Sequence, residues 1–321
     1  MRKIKVGVVG VGHLGRYHTL NYARMPEVDL VGVVDLNSQR ALSVASEAGC
    51  KAYETLDSLL KEVEAVSIAV PTDQHFQTGQ KVLEYGIHCL VEKPISKTLE
   101  EADSLIALAE NKGVVFQVGH VERFNPAMQA IADLTIEPKF IESHRLAPFN
   151  PRGTEVAVVL DLMIHDIDIV LSLVKSPVDK IDASGVAVVS DSIDIANARI
   201  RFKNNSVANL TASRISQKKM RKMRLFQKDA YITVNFLEKK SEIYRLDTEE
   251  ESGIILGEIG VGEKKRKVIY KHPTPPHEEG LEKELKTFIQ TIQGKHPAAV
   301  SGKEGRKALS VALRIMEEMK K

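Results

Sequence analysis

Cysteine is almost missing: Cys50 and Cys89 are the only two in 321 residues, and they form no CxxC pair. That is too few for a disulfide framework or a cysteine-rich zinc site, and it fits a reducing compartment. No run of about 18 apolar residues occurs, which excludes a spanning helix, so no membrane partner is expected. Met1-Arg2-Lys3-Ile4 leads into a β-branched run without the apolar segment and cleavage site of a signal peptide, so the expected location is cytoplasmic. An excess of one charge is lacking too: 45 Lys and Arg against 43 Asp and Glu leave a net +2. A polyanionic partner would therefore have to be recognised by a local cluster. The strongest such cluster, Lys218 to Arg224, has no interleaved aromatics. It reads as a solvated strand or as a contact for a diphosphate-bearing substrate, and no nucleic-acid partner is expected. Repeats and low-complexity tails are absent as well.

What is present is enough chain for two cores, with strand and helix periods alternating in the first half. The run 4–9 delivers Gly10-Val11-Gly12-His13-Leu14-Gly15 and then a helical pattern. In that context the glycines allow a tight turn and a close approach to a pyrophosphate at the helix start, with His13 and Leu14 beside it. A second strand, 30–34, ends at Asp35, twenty positions after Gly15, where a carboxylate can accept from the adenosine ribose hydroxyls. Its charge opposes a 2′-phosphate and favours NAD, while Arg40, one turn into the next helix, keeps NADP open. A strand at 65–70 runs into Pro71-Thr72, with His75 opening the following helix. Pro71 and Thr72 are expected near the cofactor; His75 reads equally as a helix-start histidine or as a group on the nicotinamide side.

The strand 87–91 stops at Glu92-Lys93-Pro94, because proline cannot continue it. Taken alone the charged pair reads as a surface ion pair. At the carboxyl end of a parallel strand it reads as part of a site, since ligands of open α/β sheets bind there. A further strand, 114–118, closes this half, and the domain boundary is expected after His120, giving domains 1–120 and 121–321.

Beyond it, Arg123 and Asn125 open a helix expected to reach about residue 134, and Arg152 lies in a Pro-Gly loop. The two arginines suit a phosphate or carboxylate clamp, or a solvated surface. An apolar helix over 156–173 carries Asp161, His165 and Asp168 on one face by i+4 and i+3 spacing. Such a set reads as an acid/base pair, a buried structural pair or part of a metal site. No further ligand cluster accompanies it, so no metal is expected. From 181 onward the period becomes two, which implies a mostly antiparallel sheet with one face for helices and the other for a partner subunit. Residues 253–267 read as a mobile Gly- and charge-rich excursion before a weak strand at 268–270. Amphipathic helices over 279–292 and 301–321 end the chain. The fold class is therefore α/β: a doubly wound parallel sheet followed by an α+β domain with an open sheet.

With Gly10 to Gly15, Glu92-Lys93-Pro94 and Asp161-x-x-x-His165 in hand, the whole chain resembles the Gfo/Idh/MocA family of nicotinamide oxidoreductases. Membership implies a Rossmann domain, NAD, hydride transfer at a sugar or cyclitol carbon, and a homodimer or homotetramer. It also implies catalytic roles for Lys93, Asp161 and His165, either Lys93 or His165 being the base. The stretches 119–126, 151–153 and 160–168 are most similar to the subfamily that oxidises the 3-hydroxyl of UDP-N-acetylglucosamine, ahead of a transaminase making a 3-amino sugar for lipid A. On that resemblance Arg123, Asn125 and Arg152 join Lys93, Asp161 and His165 around a nucleotide-sugar substrate, with Arg123 and Glu92 also near the cofactor. The alternatives are a dehydrogenase or reductase of a free sugar, cyclitol or imine, and a non-catalytic NAD-binding sensor.

Overall fold

The computed structural model describes residues 2–150, 156–246 and 253–321. They divide into two compact units, Met1–Val121 with Glu279–Ser310, and Glu122–Glu278 with Val311–Lys321.

In the first unit strands and helices alternate: β1 (Ile4–Val9), α1 (His13–Arg24), β2 (Val28–Val34), α2 (Ser38–Ala48), β3 (Lys51–Tyr53), α3 (Leu56–Leu60), β4 (Ala65–Ile68), α4 (His75–Glu84), β5 (His88–Glu92), α5 (Leu99–Lys112) and β6 (Phe116–Gly119). All six strands are parallel, in the order β3-β2-β1-β4-β5-β6. Strands β4, β5 and β6 are buried almost along their whole length, which is why they read as continuous apolar runs. The chain leaves β1 towards β2 and β3, then returns to β4 on the other side of β1. The carboxyl ends of β1 and β4 thus form the switch point at which such sheets bind ligands. Local signals set the helix ends. Thr98 and Glu101 make a reciprocal capping box at α5, and Gly49 and Gly113, both left-handed, end α2 and α5.

The second unit contains α6 (Pro126–Gln129), β7 (Phe140–Leu146), α7 (Ile164–Leu173), β8 (Val178–Val186), β9 (Ile195–Phe202), β10 (Val207–Ser213), β11 (Met220–Gln227), β12 (Ala230–Asn235), β13 (Lys240–Leu246), β14 (Ile254–Ile259) and β15 (Arg266–Lys271). Its nine-stranded sheet has the order β14-β15-β13-β12-β11-β7-β10-β9-β8, antiparallel except where β7 meets β10. Burial alternates along β7: Ile141, Ser143 and Arg145 are buried, while Phe140, Glu142 and His144 are half-buried on the opposite face. On that opposite face Phe140, Phe226, Tyr231, Tyr244 and Tyr270 form a ladder across five strands, with successive ring centroids 4.8 to 5.8 Å apart.

Four features differ from expectation. The segment 253–267 carries strand β14 instead of a loose excursion. It exists through backbone pairing with β15 at the sheet edge, without burying a side-chain face, so no hydrophobic alternation announces it. The helix at 126–134 is α-helical only over Pro126–Gln129, after which the chain turns. The three-residue β3 is too short to leave a period. Residues 279–310 belong to the first unit, because α8 (Gly280–Ile292) buries Leu285, Phe288 and Ile289 in one cluster with Val6, Val8 and Tyr22. Each such side chain contributes about 1.5–3 kcal/mol on burial. The last helix, α9 (Gly302–Glu318), begins in the first unit and ends in the second.

Candidate functional site

The glycine turn between β1 and α1 is shaped by exclusion. Gly10 has φ +80°, and a Cβ there would lie 2.8 Å from Val70 Cγ1; at Gly15 a Cβ would lie 1.8 Å from the Gly10 carbonyl oxygen. At Gly12 an added Cβ would meet nothing within 4 Å. The first and third glycines are thus required by packing within the fold, while Gly12 faces open space. That space is a cavity of about 760 Å³ in the first unit, lined among others by Gly12, His13, Leu14, Asp35, Pro71 and Thr78. Asp35 accepts hydrogen bonds from the Val11 N–H (2.8 Å) and the Asn37 N–H (2.8 Å), and the Arg40 guanidinium lies 3.1 Å from its Oδ1. The carboxylate therefore knits the end of β2 to the glycine turn, and Arg40 is held by it. Leu36, 91% exposed, lies on the same cavity and supplies an apolar surface suited to an adenine. Nothing in its sequence context singles it out. A bare Gly12, an anchored carboxylate and an apolar wall fit a dinucleotide.

His75 does something other than face this cavity. It is buried, its Nδ1 lies 2.7 Å from the Pro94 carbonyl oxygen and its Nε2 3.0 Å from that of Val70, so the ring clamps the chain after β4 to the chain after β5. Burial lowers its pKa, against the raising effect of the two carbonyls. Thr72 is half-buried in a short 3-10 turn before α4.

At the end of β5, Glu92 is buried and Lys93 half-buried, with a cis peptide joining Lys93 to Pro94. Glu92 Oε1 lies 3.0 Å from His18 Nε2, and the Lys93 N–H points to Oε2 at 3.3 Å. Burial alone would raise the Glu92 pKa. The His18 hydrogen bond and charge, with Lys93 beside them, outweigh it and hold the carboxyl below its ordinary range. His18 falls on the buried face of α1 together with Gly15, Thr19 and Tyr22. Neither the sequence spacing nor the glycine motif marks it.

In the second unit the polar residues are organised by two arginines. Arg145, only 2% exposed, makes a two-pronged pair with Asp166 (3.0 and 2.9 Å) and a bond to Glu122 (2.7 Å), and its guanidinium lies 5.5 Å from the Phe236 ring centre. Burial opposes that charge, but the two carboxylates prevail and raise its pKa above the usual arginine value. Arg123 grips Asp168 with two bonds of 2.7 Å. Asp166 and Asp168 are thus the inward-facing acids of α7. Asp161 and His165 are half-buried, and a π-helical turn over Val159–Met163 precedes α7. The stretch 161–168 therefore changes helix type part-way along. Asp168 belongs to Arg123, and the Asp161-to-His165 interval crosses the change from π to α.

Asn125 caps α6 by accepting from the Ala127 N–H (3.0 Å) and donates to Glu122 (3.0 Å) and to the Phe236 carbonyl (3.2 Å). These bonds make Asn125 a brace of the same network. Arg152 lies outside the described residues. Among the described residues no group of three or more His, Cys, Asp or Glu side chains is arranged to hold a metal, and no helix is long and apolar enough to cross a membrane.

Comparison with known proteins fits this architecture. The model of an oxidoreductase family with an NAD-binding Rossmann fold matches residues 4–120, and that of the GFO/IDH/MocA C-terminal domain matches residues 140–233. UDP-N-acetylglucosamine 3-dehydrogenase of Acidithiobacillus ferrooxidans is 39% identical over 98% of this chain and 97% of that protein. The chain belongs to the GFO/IDH/MocA family. A solved structure of that Acidithiobacillus enzyme superposes with a TM-score of 0.88 at 37% identity, covering 99% of this chain and 98% of the other. Myo-inositol 2-dehydrogenase of Thermotoga maritima is 24% identical over 95% of this chain and 93% of that protein. As a member of the family, the chain is an NAD-dependent oxidoreductase with a Rossmann domain and a mixed, mostly antiparallel second sheet.

Proposed function

We propose that this enzyme oxidises the 3-hydroxyl of UDP-N-acetylglucosamine to the 3-keto nucleotide sugar, with NAD as acceptor, in the cytoplasm and ahead of a transaminase that makes a 3-amino sugar for lipid A. The observation that carries the reading is the near full-length match to an enzyme of that name, 39% identical, which spans both units. The inositol dehydrogenase matches at similar length with much lower identity. Bound NAD supplies the hydride acceptor. The glycine turn, Asp35 and the Leu36 surface hold and orient the dinucleotide. His165, oriented by Asp161, takes the proton from the substrate hydroxyl, and Lys93 stabilises the developing alkoxide with its ammonium group. Such help from a positioned proton acceptor is worth about 10²- to 10⁴-fold in rate.

In this reading Arg123, Asn125 and Arg152 serve the substrate side. Arg123 and Asn125 do so by shaping the second unit's polar network, since both side chains are engaged within it. The sheet face that carries the aromatic ladder meets a second copy in a homodimer or homotetramer, which light scattering on the purified protein checks.

The test follows NADH absorbance with NAD, a carbonyl trap and UDP-N-acetylglucosamine, N-acetylglucosamine or inositol in turn. NADH formation with the nucleotide sugar alone supports the reading. Formation with inositol or the free sugar replaces it with a cyclitol or free-sugar dehydrogenase. NAD binding with no turnover on any of the three contradicts it and favours a sensor.

A further inference from the structure

We propose that His18 is a positioning residue for Lys93, acting through Glu92: from inside α1 it keeps that carboxylate anionic beneath the end of β5, and the anion in turn favours the ammonium form of Lys93. The inference rests on the reading in which Lys93 acts on the substrate.

Three observations in the first unit carry it. His18 is fully buried, its Nε2 lies 3.0 Å from Glu92 Oε1, and its Nδ1 has no hydrogen-bond partner among the described residues, so among the bonds described there the ring is held by Glu92 alone. The carboxylate is built into place from the other side as well. Gly119 is paired with Glu92 across β5 and β6, and a Cβ there would lie 3.1 Å from Glu92 Cδ and Oε1. Finally, the second oxygen faces the backbone N–H of Lys93 itself, which couples the carboxylate to the residue that begins the turn.

A carboxylate in this position needs a donor, because burying it unpaired would neutralise it. The charged and titratable groups around it are His18 from α1, Lys93 from its own strand end and His75 from α4. His120 follows Gly119 at the end of β6. His18 reaches the carboxylate directly, its side-chain Nε2 lying 3.0 Å from Oε1. A neighbouring anion favours the ammonium form of lysine. Loss of the His18 donor would let burial push Glu92 towards its neutral form and withdraw that support.

The experiment titrates Lys93 directly, by carbon NMR of the full chain labelled at the lysine Cε atoms and saturated with NAD, with Lys93→Arg to assign the resonance. His18→Leu is expected to lower the Lys93 midpoint by about one pH unit. His18→Gln, which keeps an N–H near the position of Nε2, returns it towards wild type. With UDP-N-acetylglucosamine as substrate the alkaline limb of kcat shifts by the same amount while the KM for NAD holds. An unmoved midpoint in folded His18→Leu overturns the proposal and leaves the pair a structural tie between α1 and β5. If His18→Leu does not fold, Glu92→Gln removes the charge at nearly constant shape, and an unmoved midpoint there overturns the proposal equally. Wild-type turnover in Lys93→Met sinks the catalytic reading of Lys93 while leaving the titration result standing, so the two failures are separable.

Discussion

The two units build their polar sites by opposite means. In the first, the glycine-turn site is made of backbone: a turn without room for side chains at Gly10 and Gly15, open space at Gly12, and a carboxylate at Asp35 that accepts backbone N–H groups. In the second, it is made of long-range charge pairs: Arg145 reaches across 21 positions to Asp166 and 23 to Glu122, and Arg123 across 45 to Asp168. Backbone-built sites tolerate little local change but are cheap to hold. Charge-built sites depend on every member being present, because a buried charge that loses its partner is left unsolvated.

The largest effect is expected on turnover. Lys93→Ala in the first unit and His165→Ala in the second should each lower kcat about 10²- to 10⁴-fold while NAD binding, followed by fluorescence titration, is kept. Near-normal turnover in either removes that residue from the chemistry. Next comes stability in the second unit. Arg145→Met strands Asp166, leaves Glu122 to Asn125 and Arg221, and should cost about 3–5 kcal/mol in urea unfolding. Replacing Arg145, Glu122 and Asp166 together by apolar residues should cost less than the single change, and a larger loss would break the contrast drawn between the units.

The glycine turn gives a smaller and more selective outcome. Gly15→Ala must displace the Gly10 carbonyl, for about 1–3 kcal/mol of stability together with NAD affinity. Gly12→Ala should leave stability within about 0.5 kcal/mol and weaken NAD alone. Equal losses of stability at both positions would show that Gly12 is also needed by the fold.

The smallest effect is a pH dependence. His75 has its pKa lowered by burial in the folded chain, whereas unfolded histidine titrates near about 6.5. Below that value the unfolded state binds the extra proton, so stability rises with pH through the window between the folded and unfolded values and is lost on acidification, by up to about 1.4 kcal/mol per pH unit. His75→Gln should flatten the change in Tm between neutral and mildly acidic buffer.

The same contrast explains how much of the molecule could be read from its sequence. The alternation that makes the parallel sheet, the glycine turn and the interval to Asp35 are local or nearly so, and each is written in spacing. The Glu92-Lys93-Pro94 stop is written in the sequence, but its buried support is not, because His18 follows the glycine motif as an ordinary helical residue and meets Glu92 only through the packing of α1 on the sheet. His75 shows the converse. A histidine at a strand-to-helix turn invites a cofactor role, and only the two carbonyls at 2.7 and 3.0 Å reveal a clamp. In the second unit, the 156–173 pattern announced an apolar helix with inserted acids. Which acids face inward depends on the π turn at Val159–Met163 and on partners far away in sequence, neither of which periodicity encodes.

The most direct test of the account follows the hydride itself. UDP-N-acetylglucosamine carrying deuterium at C3 is incubated with the enzyme, NAD and a carbonyl trap, and the NADH formed is analysed by mass spectrometry. The account predicts that the NADH carries the deuterium, and that substrate labelled at C2 or C4 instead gives unlabelled NADH. Unlabelled NADH from the C3-deuterated sugar, or none at all from a protein that binds NAD, would contradict it.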